Sequence, residues 1–234
     1  MSSISENIKA IRNEIEDICR QKNIDAKDIT LIAVTKTIDV TRIKEAVDSG
    51  ITHVGENKVQ EIMDKYDALK DIANIHLIGH LQSNKVKYII DKVKLIHSVD
   101  SMKLMDEINK RAKKSGIIAD ILIQVNVARE DTKFGIEMGD VDSHIEYASK
   151  LDNIRVRGLM TIAPYFEDVE KTRPIFRVLK EKFDELSSER YSNVEMKYLS
   201  MGMTNDYKIA LEEGSNMIRV GTGIFGKRVY NTNL

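Results

Sequence analysis

Eight short apolar runs alternate with charged stretches of helical period, and this rhythm restricts the chain to a small set of folds. The runs, rich in Ile, Val and Leu, stand at 30–36, 51–55, 75–79, 95–99, 120–127, 155–162, 196–201 and 216–221. Helical spacing of apolar residues fills the intervals Val40 to Ser49, Lys58 to Lys70, Asn84 to Val93, Met102 to Lys114, Val141 to Leu151, Val169 to Ser188 and Asp206 to Glu213. Apolar runs that do not alternate with polar residues suit strands covered on both faces, as in a parallel sheet. Strands separated by helices call for βαβ crossovers. Eight such units in 234 residues match a single (β/α)8 barrel, typically about 250 residues long. An open doubly wound sheet, usually of about five or six strands, is the runner-up. Ser3 and Glu6 form a capping-box pattern, and Ile4, Ile8, Ile11, Ile15 and Ile18 follow at helical spacing, so an extra N-terminal helix is expected from about 3 to 22. No linker or low-complexity tract interrupts the rhythm, and residues 1–234 read as one domain.

Charge excludes some partners. With 36 Lys plus Arg against 37 Asp plus Glu, the chain has no global pull toward nucleic acid or anionic membrane. The basic run Lys85, Lys87, Lys92 and Lys94 reads as a solvated helix face. No window approaches the ~18 apolar residues of a membrane span, and the acid-rich N-terminus lacks a signal-peptide core. The single cysteine, Cys19, has no partner for a disulfide, reads as a structural thiol, and suits a reduced cytoplasmic setting. Histidines at 53, 76, 80, 97 and 144 show neither HxH nor HExxH spacing, so no metal site is expected. A monomer is plausible.

In a barrel of this kind the active site lies at the C-terminal strand ends. The first run ends in Lys36, and an ammonium closing an apolar strand is costly to bury. Either it simply reaches water or its amine attacks a carbonyl to form a Schiff base. The second run leads to Glu56, read as structural, and Asn57, a donor for a ligand oxygen. His80, Asn126 and Thr161 stand at other ends without a clear role. The seventh run ends in Ser200-Met201-Gly202-Met203-Thr204 and the eighth in Arg219-Val220-Gly221-Thr222-Gly223. Loops after strands seven and eight of such barrels frequently bind phosphate. Ser200, Gly202, Gly221, Thr222 and Gly223 are small enough for that, with hydroxyls and bare amides. Regular alternation would set Arg219, Gly221 and Gly223 on one face. The stretch GTGIFG also matches the dinucleotide fingerprint, but only eight residues follow Gly226, too few for the βαβ unit that fingerprint opens.

An imine-forming lysine, a phosphate cradle and an arginine beside it form a coherent set for pyridoxal 5′-phosphate, a phosphorylated aldehyde. The sequence closely resembles the pyridoxal-phosphate homeostasis protein family, whose fold is similar to the N-terminal barrel of bacterial alanine racemase. The likeness rests on LIAVTKT around Lys36, GENKVQE at 55–61, HLIGHLQSNK at 76–85, KFG at 133–135, GLMTIAP at 158–164, SMGMTNDYKIAL at 200–211 and IRVGTGIFGKR at 218–228. Thr204 and Leu211 stand where Ser and Ile are expected. The resemblance implies Lys36 as the aldimine lysine, Arg219 at the pyridine nitrogen, Ser200 with Gly221 to Gly223 near the phosphate, and Asn57 and Met201 close to the cofactor. It implies a binding protein that buffers the cofactor or hands it to apo-enzymes, and so influences amino-acid and 2-oxo-acid balance. An arginine at the ring nitrogen keeps that nitrogen unprotonated and disfavours carbanion chemistry, so strong catalysis is not expected. The alternatives are a weak racemase, with Tyr165 or Tyr198 as base, and a cofactor-free Schiff-base aldolase.

Overall fold

The computed structural model describes residues 2–130, 134–188 and 191–226. Each of the eight apolar runs supplies a strand. They are β1 (Thr30–Val34), β2 (His53–Glu56), β3 (Asn74–Leu77), β4 (Leu95–Val99), β5 (Ala119–Gln124), β6 (Ile154–Met160), β7 (Val194–Met203) and β8 (Met217–Val220). They pair in parallel, in sequence order, and β8 pairs with β1 to close the barrel. Several runs outlast their ladders. Residues 35–36, 125–127 and 161–162 leave the sheet and build its mouth.

The helices are α1 (Ile4–Lys22), α2 (Val40–Asp48), α3 (Val59–Leu69), α4 (Val86–Ile89), α5 (Met102–Ser115), α6 (Val141–Ala148), α7 (Arg173–Ser188), α8 (Tyr207–Glu212) and α9 (Thr222–Phe225). The helix expected over 84–93 shortens to a 3-10 turn at Ser83–Lys85 and the single turn of α4. There the chain folds back, with Lys92 N–H bonded to Ile89 O. Lys85, Lys87 and Lys94 are exposed, and Lys92 pairs with Asp91 at 2.9 Å.

α1 begins as its sequence dictates. Ser3 Oγ accepts from Glu6 N–H and Glu6 Oε2 accepts from Ser3 N–H, the reciprocal pair of a capping box. Its isoleucine stripe and Cys19 are buried, and burial pushes the Cys19 thiol up. α1 lies outside the barrel against α8, α9 and α2. A regular barrel would place there the helix that follows its eighth strand. Here, among the described residues, that helix is only the four residues of α9, and α1 covers the β8–β1 seam instead. Glu14 of α1 binds Lys208 (2.8 Å) and the Tyr207 hydroxyl of α8, and Asn7 donates to Ile224 O (2.9 Å) at α9.

The main apolar core fills the layer between strands and helices. A smaller cluster of Ile32, Leu95, Leu122, Met160 and Met217 occupies the barrel interior. That interior also buries His76, His97, Ser200 and Arg219, so it is more polar than the Val, Ile and Leu that usually fill such barrels. Buried polar groups are costly unless bonded, and these four are bonded to one another.

Candidate functional site

Lys36 stands two residues past the last residue of β1, in a turn braced from α3. Thr37 has φ of 64°, a left-handed conformation that β-branched residues rarely adopt. The glutamate and lysine of α3 hold it there. Glu61 Oε2 accepts from Thr37 N–H (2.6 Å), and Lys65 Nζ donates to Thr35 O (2.9 Å), so the backbone is gripped on both sides of Lys36. Lys65 also binds Glu61 (3.0 Å) and the buried Glu56 at the end of β2 (2.8 Å), which accepts from the Thr35 hydroxyl as well (2.7 Å). The structural role expected of Glu56 is what the structure shows. Burial pushes the Glu56 carboxyl up, against the pull of Lys65 and Thr35. Glu61 shares the same lysine but is less deeply placed, and there the Thr37 and Lys65 bonds outweigh burial and hold it down.

Lys36 lines a cavity of about 420 Å³ at the barrel mouth, together with Thr204, Arg219, Gly221, Thr222 and Tyr165. The glycine turn after β8 is not a continuation of the strand. β8 ends at Val220 and Gly221 caps α9, so the expected alternation of Arg219, Gly221 and Gly223 on one face stops at Val220. The N–H groups of Gly221 and Gly223 instead converge on one atom, Thr204 Oγ1, each at 3.3 Å. The hydroxyl beside the glycine turn is therefore that of Thr204, not Ser200. A bulge in β7 makes the difference. Between the pairs Ser200↔Met217 and Met203↔Arg219, β7 uses one residue more than β8. Gly202 permits it, with φ of 92° and no room for a side chain, since a Cβ there would stand 2.6 Å from Ala210 Cβ.

Arg219 projects from β8 into the barrel and reaches the cavity wall. It is 3% exposed, yet neither of its bonds goes to a carboxylate. Nη1 donates to Ser200 Oγ (2.5 Å) and Nη2 to Thr161 O (2.8 Å). Burial draws Arg219 down to about 10, opposed by the charge of Asp206, so the guanidinium stays a cation at neutral pH.

The other candidate residues fall elsewhere. Met201 is buried in the layer outside the strands, and its side chain does not line the cavity. Asn57 also lies outside the lining. Its backbone packs on Gly79, where a Cβ would come within 2.4 Å of Asn57 O. Gly223 takes part through its N–H, with its Cα pressed against Val220. Asn126 braces its own loop through Glu130, and the Thr161 hydroxyl bonds to Val125 O. His80 has the carboxylate partner that the sequence left invisible, Asp100 at 3.5 Å, and stacks on Phe134. Tyr198 packs against the barrel interior below the site, whereas Tyr165 lines the cavity. Lys133, Lys227 and Arg228 of the quoted motifs lie outside the described residues. The sequence offers Thr204 only as the end of the seventh run and a departure from the family pattern, Glu61 only within GENKVQE and Lys65 not at all, because their parts depend on the bulge and on the packing of α3.

The family model for the alanine racemase N-terminal domain matches residues 3–229. A pyridoxal phosphate homeostasis protein of Aquifex aeolicus is 45% identical over 96% of this chain and 98% of its own length. The chain belongs to the pyridoxal phosphate homeostasis protein family. The family member of that name in Escherichia coli K12 is 33% identical over 99% of each chain. Among solved structures, PipY of Synechococcus elongatus PCC7942 with pyridoxal phosphate bound is similar over 96% of this chain and all of its own, with TM-score 0.81 and 31% identity. A protein of unknown role from Bifidobacterium adolescentis gives 0.89 at 33% identity, covering 95% and 94% of the two chains. Alanine racemase of Clostridium difficile 630 shares the fold at TM-score 0.70 and 17% identity, matching 97% of this chain but 58% of its own. Among the described residues no helix is long and apolar enough to cross a membrane, and no cluster suits a metal ion.

Proposed function

We propose that this chain holds pyridoxal 5′-phosphate in the mouth cavity and serves as a carrier that keeps the cofactor available in the cell. The observation that carries the reading is the meeting, in one cavity, of an amine, a buried guanidinium and the start of the glycine turn (Lys36, Arg219 and Gly221), with Thr204, on which the Gly221 and Gly223 N–H groups converge, in the same wall. The group fits those residues chemically. Pyridoxal phosphate supplies an aldehyde that condenses with an amine, losing water, and a phosphate dianion that N–H donors hold. Lys36 is the amine, presented by a turn clamped on both sides. Thr204 and the N–H groups of Gly221 and Gly223 receive the phosphate. Arg219 donates toward the ring nitrogen and, as a fixed cation, keeps that nitrogen unprotonated. The likeness to PipY with its bound pyridoxal phosphate supports the same assignment.

Residues 1–234 then act as one cofactor-binding domain, apo-enzymes that need pyridoxal phosphate are the partners to which it is passed, and the cytoplasm, where Cys19 stays reduced, is its place. Purified protein is expected to be yellow, or to turn yellow with added cofactor. After borohydride reduction the phosphopyridoxyl mass should map to the peptide containing Lys36. A protein that stays colourless with the cofactor, or a label on another lysine, overturns the reading.

Tyr165 in the cavity lining favours a second reading, slow proton exchange at the Cα of an amino acid. Deuterium uptake into alanine that disappears in Tyr165→Phe would establish it. No uptake leaves the carrier alone.

A further inference from the structure

Three histidines far apart in sequence meet inside the barrel and form one chain of hydrogen bonds ending at Arg219. His53 Nδ1 lies 2.8 Å from His76 Nε2, His76 Nδ1 2.9 Å from His97 Nε2, and His97 Nδ1 3.0 Å from Ser200 Oγ. Arg219 Nη1 donates to the same hydroxyl oxygen. His76, His97, Ser200 and Arg219 are buried, and His53 is half-buried.

Arg219 sets the direction of this chain. A guanidinium only donates, so Ser200 Oγ gives a lone pair to it and its own O–H needs an acceptor. Among the described residues the acceptor in place is His97 Nδ1. A neutral His97 that accepts at Nδ1 carries its proton on Nε2 and donates to His76 Nδ1. His76 in turn donates from Nε2 to His53 Nδ1. The reverse order would leave the buried Ser200 O–H without an acceptor. A protonated ring would break the chain too, because it has two donors and no acceptor. Besides the neighbouring rings, the charges acting on the histidines are those of Lys94 and Arg219, both positive; among the described residues Asp206 acts on Arg219, and no carboxylate acts on the rings themselves. Burial and these cations hold His76 down to about 3 and His97 well below its ordinary range.

We propose that His97, His76 and His53 are positioning residues of the cavity: as a neutral, one-directional chain they lock Ser200 as an acceptor and so aim Arg219. The inference rests on the reading that the cavity takes pyridoxal phosphate. A carboxylate partner would orient the guanidinium equally well but would cancel much of its field. A file of neutral lone pairs holds it in place and leaves its charge to act on the ligand ring. Two of its five N–H groups are used by Ser200 and Thr161, which leaves three for other work.

Two measurements decide it. Long-range ¹H–¹⁵N spectra of the ligand-free protein read histidine tautomers directly. His76 and His97 are expected as neutral Nε2–H forms from pH 6 to 8, and an Nδ1–H form or an imidazolium at either position overturns the chain. Titration with pyridoxal phosphate then compares His97→Leu, which removes the acceptor, with His97→Asn, whose Oδ1 stands where Nδ1 stood. The leucine variant is expected to bind about tenfold more weakly with a shifted absorption maximum, and the asparagine variant within about twofold of the parent. Equal loss in both means packing alone, and no loss in either means no positioning role; each overturns the proposal. If His97→Leu does not fold, Ser200→Ala reads the same link, since His97 should then lose its single tautomer; a retained one counts against it. A parent protein that binds no pyridoxal phosphate defeats the reading of the cavity, while the tautomers still decide the chain.

Discussion

Lys36 and Thr204 line the same cavity, and the proposed function gives them separable contacts to one ligand. Lys36→Ala is expected to abolish the borohydride-trapped adduct while leaving reversible, phosphate-anchored binding, detectable by equilibrium dialysis. A trapped adduct on the same peptide would show that another group carries the aldehyde. Thr204→Val keeps the shape but removes the hydroxyl on which two N–H groups converge. A hydrogen bond to a charged group contributes about 1.5–3 kcal/mol, and competition by inorganic phosphate should weaken by that amount. An unchanged inhibition constant would take Thr204 out of the cradle. Lys36 and the glycine turn were legible in the sequence because each breaks its local pattern: a cation ends an apolar run, and bare amides follow a strand. Thr204 was not, because its approach to Gly221 depends on an extra residue in β7 that no period announces. For the same reason the bond from Arg219 to the Ser200 hydroxyl leaves no trace in the sequence.

At the scale of elements, α3 does more than cover β2 and β3. Its Lys65 and Glu61 fasten the turn that carries Lys36. Removing one partner of a buried ion pair costs about 3–5 kcal/mol. Lys65→Met, at a site that keeps slight exposure, should fall near the lower end when measured by urea unfolding. A loss below about 1 kcal/mol would show that Glu56 simply takes up a proton. The two carboxylates oppose each other in pH dependence. Glu61, held below its ordinary 4.5 in the fold, contributes stability above that pH that disappears as the solution is acidified. Glu56, raised by burial, contributes in acid and loses that contribution as pH rises through its folded pKa. Glu61→Gln should therefore flatten the acid limb of the stability curve, and an unaltered limb would place the acid sensitivity elsewhere. Strands and helices were readable because burial on both faces and helical period leave plain traces. Their C-terminal ends were overestimated, since residues such as Val127 and Ile162 stay apolar after the ladder has ended. The polar barrel interior was hidden for the opposite reason. His53, His76 and His97 lie in three successive strands, and only the register brings them together.

Across the whole molecule, eight runs were enough to count the barrel, but not to say how its last gap is covered. That required seeing α1 against α8, α9 and α2. Deleting residues 1–22 should remove the isoleucine stripe and uncover the β8–β1 seam that it covers, and so remove cooperative unfolding as followed by circular dichroism. A truncated chain that still unfolds in one sharp transition would show that the seam closes without help. The placement of α1 also fixes an order of events during synthesis. The helix emerges from the ribosome ahead of every strand, yet its docking surface exists only once α8 and α9 have been made. Its oily stripe stays without that surface through nearly the whole of translation. The glycine turn sits at that same late junction, tied to α1 through Asn7. A nascent chain should thus gain its hold on phosphate in the step that closes the ring, and an unfinished one could not sequester the cofactor.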